Sequence, residues 1–269
     1  MSRAPVLRVF SYLPNPRLAK ATIAARLCGV ELEVRGAAPR ELGGWLWDFD
    51  ARPLAPGESP AASARSARTG FAGTLHKTDA FLAAHPFGTV PAAFSPDGRT
   101  GVFESNSILR AVVRVSGDPA GLYGGQDPYA ASRIDSFLDA SLVFARDAQV
   151  YLLKLSGGRI KRPLHERTQE ARDGYLAGIE QALAPDRPFI CGDSLSLADL
   201  VFAAELTLFS AERANRKLLD EAGLPPLWSD ELRTRFPRAL AHFDRLCAHP
   251  AFAPDLGPYL AKLQSISTV

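Results

Sequence analysis

Residues 6 to 12, Val-Leu-Arg-Val-Phe-Ser-Tyr, alternate apolar and polar positions well enough to predict a strand. Leu18 to Gly29 then carries Ala, Ile and Leu at helical spacing and meets a glycine stop. Glu31 to Arg35 reads as a second strand, so the first part of the chain predicts a βαβ unit with a right-handed crossover and a parallel strand pair. Further on, Ala92-Ala93-Phe94 and Gly101-Val102-Phe103 flank the turn signal Ser95-Pro96-Asp97-Gly98, which predicts strand, hairpin turn, strand. Asn106 to Val115 supplies a closing helix. The expected order of this first domain, residues 1–117, is β-α-β-α-β-β-α.

Pro119 to Asp127 has the Gly, Pro and Asp content of a linker, and residues 128–269 are expected to be all helical. Pro128 to Leu155 is one long amphipathic stretch ended by Gly157-Gly158; His165 to Leu183 is another, broken by Pro185 to Pro188. In Phe189 to Leu200, Ser196 and Asp199 stand at the N-cap and N3 spacing of a capping box, flanked by Leu195 and Leu200 at the staple positions. One segment resists this scheme. Between Gly36 and His76 about forty residues replace a short connection, an uncommon length for a structureless loop. Its first part, Trp45-Leu46-Trp47-Asp48-Phe49, is aromatic enough to pack or to touch a substrate, whereas Pro53 to Arg68 is rich in Ala, Ser, Pro and Gly and reads as flexible. We read the whole as a surface excursion anchored by its tryptophans, in preference to a lid on an active site.

Composition narrows the function without naming it. With 269 residues, 46% hydrophobic and 22% charged, the chain can bury one large core or two modest ones, as an ordinary globular protein does. The net charge of +2 comes from interspersed acids and bases, so nothing favours nucleic acid or an anionic membrane as partner. There is no apolar run of spanning length and no signal-peptide core before the first strand, which makes a cytoplasmic protein the expectation. The three cysteines, Cys28, Cys191 and Cys247, lie far apart without zinc or dithiol spacing, so neither a metal site nor a cysteine nucleophile is expected.

The chemistry concentrates in His85-Pro86-Phe87-Gly88-Thr89-Val90-Pro91 and Phe103-Glu104-Ser105-Asn106-Ser107-Ile108. Pro91 lacks an N–H and belongs at the first residue of its strand, where a cis peptide would turn the Val90 backbone outward as donor and acceptor for an extended peptide. Glu104-Ser105 falls where the next strand gives way to a helix, whose unpaired N–H groups favour a carboxylate while Glu104 takes an ammonium. Together they describe a site for a small zwitterion. Val-Pro, hairpin and Glu-Ser in this order resemble the thioredoxin-like N-terminal domain of the glutathione transferase superfamily, and the resemblance implies that Val90, Pro91, Glu104 and Ser105 hold glutathione. The segment Phe189 to Leu200 resembles the capping box and staple of that family's helical domain, and Arg235 to Leu246 with His249 to Phe252 resembles its last helix. Only residues 36–76 fall outside the likeness.

Within the superfamily, Phe10 to Lys20 looks like the nu-class and elongation-factor-gamma branches, which place Pro-Asn or Glu-Asn two residues before an arginine. Asn15 and Arg17 match, while the threonine preceding Pro-Asn in the nu class is Leu13 here. The omega and glutathionyl-hydroquinone reductase branches use a cysteine at the end of the first strand; this chain has none. A glutathione thiol needs help to ionise at neutral pH, and a hydrogen-bond donor aimed at the sulfur provides it. Three residues are candidates: Ser11, Tyr12 and Asn15. Asn15 is preferred for its place in the turn entering the helix, although an N-cap that never touches ligand is an equal rival there. The resemblance implies a transferase or lyase whose glutathione thiolate attacks a hydrophobic electrophile on the side of the helical domain, β-etherase cleavage being one such reaction, and a homodimer. The alternative is a non-catalytic module like the N-terminal domain of the elongation-factor gamma subunit.

Overall fold

The alternating run at the N-terminus forms β1 (Leu7–Tyr12) in the computed structural model, which describes residues 4–67 and 70–267. The expected domain ends at residues 1–3 and 268–269, and Arg68 at the end of the Pro53 to Arg68 stretch, lie outside the described residues. After β1 come α1 (Pro16–Cys28) and β2 (Leu32–Ala37). The helix begins two residues earlier than its apolar periodicity suggests, because Asn15 caps it and Pro16 suits the first turn; Gly29, left-handed at φ 65°, ends it. Farther along the chain, β7 (Ala92–Phe94), β8 (Gly101–Phe103) and α3 (Ser105–Ser116) complete the expected set. The sheet order is β2-β1-β7-β8, with β1 parallel to β2 and antiparallel to β7. The α1 and α3 helices pack against each other. This is the thioredoxin-like α/β arrangement that the strand pattern implies.

The long connection corrects the expectation. It contains β3 (Trp45–Trp47), β4 (Arg52–Pro53), β5 (Ala64–Ser66) and β6 (Thr74–Lys77), which form a second four-stranded sheet in the order β4-β3-β6-β5, followed by α2 (Asp79–Ala84). Described residues of the stretch read as flexible therefore carry a ladder, Ala64 to Ser66 pairing with His76 to Thr74. The tryptophans do anchor it, but in the core and not at the surface. Trp47 is fully buried in one cluster with Phe10 of β1, Phe81 of α2, and Ala92 and Phe94 of β7, and its indole N–H donates to the Leu42 carbonyl at 3.0 Å. Arg35 of β2 adds polar ties, to the Asp50 carboxylate at 2.6 Å and to the Ala51 carbonyl at 3.1 Å. At Gly98 in the hairpin turn, with φ 73°, a Cβ would lie 2.6 Å from the Phe49 ring; only glycine lets that ring seat there.

The chain divides into two units after Pro119. The second is helical: α4 (Pro128–Ser156), α5 (Arg162–Ala182), α6 (Leu197–Phe209), a 3-10 turn over Ser210–Asn215, α7 (Arg216–Glu221), α8 (Glu231–Arg235), α9 (Pro237–Ala248) and α10 (Ala253–Ser267). Every residue of α6 except Leu208 is buried, so the helix has no solvent face; it is the central helix of the unit, touched by α4, α9 and α10.

Asp199 is buried with the rest of α6, and its hydrogen bonds offset the loss of water. The capping box forms as expected. The Asp199 carboxylate accepts from the backbone N–H groups of Ser196 at 2.8 Å and Ile190 at 3.0 Å, from the Ser196 hydroxyl at 2.9 Å and from Nε2 of His242 at 2.8 Å. Arg245 donates to His242 Nδ1 at 2.9 Å, which fixes the neutral imidazole with its proton on Nε2, facing the carboxylate. Among the described residues no helix is long and apolar enough to cross a membrane.

Candidate functional site

The register of the first sheet brings the sequence-predicted residues to one end of it. Phe10 of β1 pairs with Ala92 of β7, which pairs with Phe103 of β8. The strands run alternately there, so the residues after Phe10, before Ala92 and after Phe103 all emerge together. These are Ser11, Tyr12 and the Asn15 turn; Val90 and Pro91; and Glu104 and Ser105. The Val90-Pro91 peptide is cis, and Val90 lies outside the ladder, which begins at Ala92.

Glu104 caps α3 with its backbone: its carbonyl accepts from the N–H groups of Ser107 and Ile108, both at 2.9 Å. Its side chain makes no cap bond and is exposed. A φ of 66° is unusual for a residue with a Cβ and costs on the order of 1–3 kcal/mol, a conformation kept only where the surroundings impose it. Here it turns the chain from β8 into α3 within one residue. Ser105 is buried, and its hydroxyl oxygen accepts from Nζ of Lys20 at 3.0 Å; the same ammonium donates to Asn106 Oδ1 at 2.8 Å.

At the β1 end, Asn15 Oδ1 accepts from the Arg17 N–H at 2.9 Å, so the residue is an N-cap in fact. Its Nδ2 donates to the Ser11 hydroxyl at 3.0 Å, which occupies one of its two amide hydrogens. Ser11 itself is wholly buried, with 0% exposure, while Tyr12 is half-buried against the core. Adjacent on the strand, the two side chains point to opposite faces, and Ser11 lies behind Asn15. Gly36 of β2 is what permits Ser11 this position: a Cβ at Gly36 would fall 1.8 Å from the Ser11 carbonyl oxygen. The Leu13 N–H donates to the Ala37 carbonyl at 2.8 Å and holds the strand end down before the cis Leu13-Pro14 peptide.

Two residues that support this end of the sheet were not singled out from the sequence. Lys20 is one. Lys77, at the end of β6, is the other: it is buried, lies 4.8 Å from the Trp47 ring and donates to the Gly88 carbonyl at 2.6 Å, two residues before Val90. A lysine within the mostly apolar stretch Leu18 to Ala25 was the available signal for Lys20; Lys77, in a four-residue strand, had none. Burial raises all three cysteine thiols above their ordinary range, and for Cys247 burial together with the Asp244 carboxylate pushes it up to about 12. None is a thiolate at neutral pH. Open depressions of about 580 and 540 Å³ lie in the helical unit, the first beside Phe189, His242 and Arg245, the second beside Arg213 and Trp228; the residues gathered at the end of the first sheet line neither.

Residues 162–245 match the family described as glutathione S-transferase, C-terminal domain. A glutathione transferase from Methylobacterium radiotolerans, solved in complex with glutathione sulfonate, superimposes with a TM-score of 0.61 at 20% identity, covering 93% of this chain and 94% of that one. The fold is that of the glutathione transferases. Over residues 162–245 the helical unit is similar to that family's C-terminal domain, and the first unit has the thioredoxin-like α/β fold that accompanies it in the matched structures. Among curated relatives, a probable elongation factor 1-gamma from Arabidopsis thaliana is 27% identical over 191 residues, 69% of this chain and 41% of that protein. Glutathione S-transferase 4 from Caenorhabditis elegans is 32% identical over 123 residues, 45% of this chain and 58% of that one. The chain therefore spans about two fifths of the length of the elongation factor it matches.

Proposed function

We propose that the protein is a glutathione-dependent transferase or lyase in which Val90, Pro91, Glu104 and Ser105 hold glutathione and its thiolate attacks a hydrophobic electrophile. The observation that carries this reading is the register Phe10, Ala92, Phe103, which gathers these residues and the Asn15 turn at one end of the sheet. Val90 offers backbone groups to an extended peptide, the exposed Glu104 carboxylate suits an ammonium, and Ser105 with the α3 N-terminus suits a carboxylate. Asn15 donates its second amide hydrogen to the sulfur, Ser11 holds Asn15 in place, and Tyr12 is the fallback donor. Aryl-ether cleavage of the β-etherase type is one reaction within this class.

Calorimetric titration with reduced glutathione tests the reading. Glu104→Ala and Ser105→Ala each remove a charge-assisted contact and are expected to weaken binding roughly ten- to hundredfold. No heat of binding from the parent protein ends the proposal. A second reading, a non-catalytic interaction module, is favoured by the match to elongation factor 1-gamma. A panel of aryl halide, epoxide and aryl ether electrophiles separates the two, since glutathione binding without turnover of any of them supports the module.

The expected homodimer has support in exposed apolar side chains that a second copy would cover. Phe87 is 71% exposed, and on α4 Tyr129, Val143 and Val150 lie on one helix face at multiples of seven residues. Sedimentation that finds only a 29.0 kDa species at micromolar concentration contradicts the dimer.

A further inference from the structure

Lys20 lies in the middle of α1 with 0% exposure, and its ammonium reaches across to the first turn of α3, 3.0 Å from the Ser105 hydroxyl and 2.8 Å from Asn106 Oδ1. An ammonium only donates. The Ser105 oxygen must therefore accept from it, and the Ser105 hydroxyl hydrogen is turned away from Lys20. The Asn106 amide is oriented by the same cation, its oxygen held inward. A buried positive charge also strengthens the donor it polarises, because little water intervenes to screen it.

We infer that Lys20 is a positioning residue for ligand recognition: it fixes Ser105 as a hydrogen-bond donor and so tunes the site for a ligand carboxylate, without touching the ligand itself. This rests on the glutathione reading. In that reading the group concerned is the α-carboxylate of the γ-glutamyl residue, the anionic half of the zwitterion whose ammonium faces Glu104. A helix-packing lysine with no such role would affect stability and treat all ligands alike. The inference predicts selectivity.

The test compares glutathione with γ-aminobutyryl-cysteinylglycine, which lacks only that carboxylate, on the full chain. Lys20→Met keeps most of the length of the side chain and removes the donor. It is expected to lose roughly tenfold or more in affinity for glutathione, the scale of a charge-assisted hydrogen bond, and to bind the analogue within about twofold of the parent. Lys20→Arg should recover most of the preference for glutathione. In a Ser105→Ala background Lys20→Met should change the preference no further, because the relay is already absent. Equal losses for both ligands, or an unchanged preference in Lys20→Met, overturn the inference and leave the glutathione site standing. A parent protein that binds neither ligand overturns both proposals. If Lys20→Met does not fold, nitrogen-15 lysine spectra of the unsubstituted protein decide: with the Lys20 Nζ signal assigned through Lys20→Arg, it should shift on saturation with glutathione and hold still with the analogue, and a signal indifferent to glutathione refutes the role.

Discussion

Replacing Asn15 by aspartate separates its observed role as a cap from the donor role proposed for it, because the change keeps the cap and removes the amide hydrogen. In the native turn Oδ1 accepts from the Arg17 N–H at 2.9 Å and Nδ2 donates to the Ser11 hydroxyl at 3.0 Å. In Asn15→Asp the first bond survives, and Ser11, whose hydroxyl can reverse, donates to the second carboxylate oxygen. The added charge sits at the start of α1, where the helix dipole favours it by about 0.3–1 kcal/mol. Folding stability should thus stay within about 1 kcal/mol of the parent. Asn15→Ala loses both bonds: about 0.5–2 kcal/mol for the cap, and roughly 1 kcal/mol more for the bond to the buried Ser11. The bound thiol responds differently. With a carboxylate where an amide hydrogen stood, the sulfur anion loses a donor contributing about 2–4 kcal/mol, which raises the thiol pKa by roughly 1.5–3 units at about 1.36 kcal/mol per unit. Urea unfolding measures the first effect and the ultraviolet absorbance of the thiolate against pH measures the second. An Asn15→Asp protein that keeps the parent's thiol pKa and turnover refutes the donor role and leaves Asn15 a cap only.

The core and its buried polar groups give three more expected outcomes. Trp47→Ala should lower stability by about 3–5 kcal/mol, as a core aromatic does and a surface anchor does not, read as a drop in the urea midpoint. Asp199→Ala strands the Ser196 and Ile190 N–H groups and His242, and should cost at least about 3 kcal/mol; a loss under about 1 kcal/mol by the same measurement would show that the box is not held as described. His85 is stacked between Phe81 and Phe103, and its pKa is lowered, by burial first and by Lys77 as well. Its unfolded form therefore binds protons that its folded form refuses. Its contribution to stability is intact above the unfolded value near 6.5 and declines as pH falls below it toward the lower folded value. His85→Phe should flatten the fall in melting temperature between about pH 7 and pH 5; an unchanged slope means another group titrates there.

The parts of this fold that were legible in the sequence are those long enough to show a period. β1, α1 and β2 announce themselves by alternation, helical spacing and a glycine stop, and the hairpin by its Ser-Pro-Asp-Gly turn. Helix starts shift by a residue or two because caps, not apolar residues, set them: Asn15 and Pro16 start α1 ahead of Leu18, and Glu104 starts α3 at Ser105. That Val90-Pro91 and Glu104-Ser105 meet at one end of the sheet could also be read from spacing, since a strand and a hairpin fix which ends coincide. The second sheet could not. Strands of two to four residues, Arg52–Pro53 or Ala64–Ser66, complete barely one alternation, and their Ala, Ser and Pro content is that of a linker. The partners that hold them lie far along the chain, as when Leu46 pairs with His76. Lys20 shows the opposite limit: its place on the buried side of α1 was visible, but its acceptors stand 85 and 86 residues away.

The insertion's packing also weighs against a role as a lid. A lid must open without disturbing the core, and its stability must come from contacts that can be exchanged for water. Trp47 shares one buried cluster with Phe10 and Ala92, the residues of the register on which the site depends, and makes edge contacts with Phe10 and Phe81 at 5.3 and 6.0 Å. Lys77, from the last strand of the insertion, holds the Gly88 carbonyl just before Val90. Lifting the insertion away would uncover Phe10 and release the Val90 loop together. The second sheet is thus a brace for the end of the first sheet where the proposed glutathione site lies, and lifting it is not a route by which that site could open.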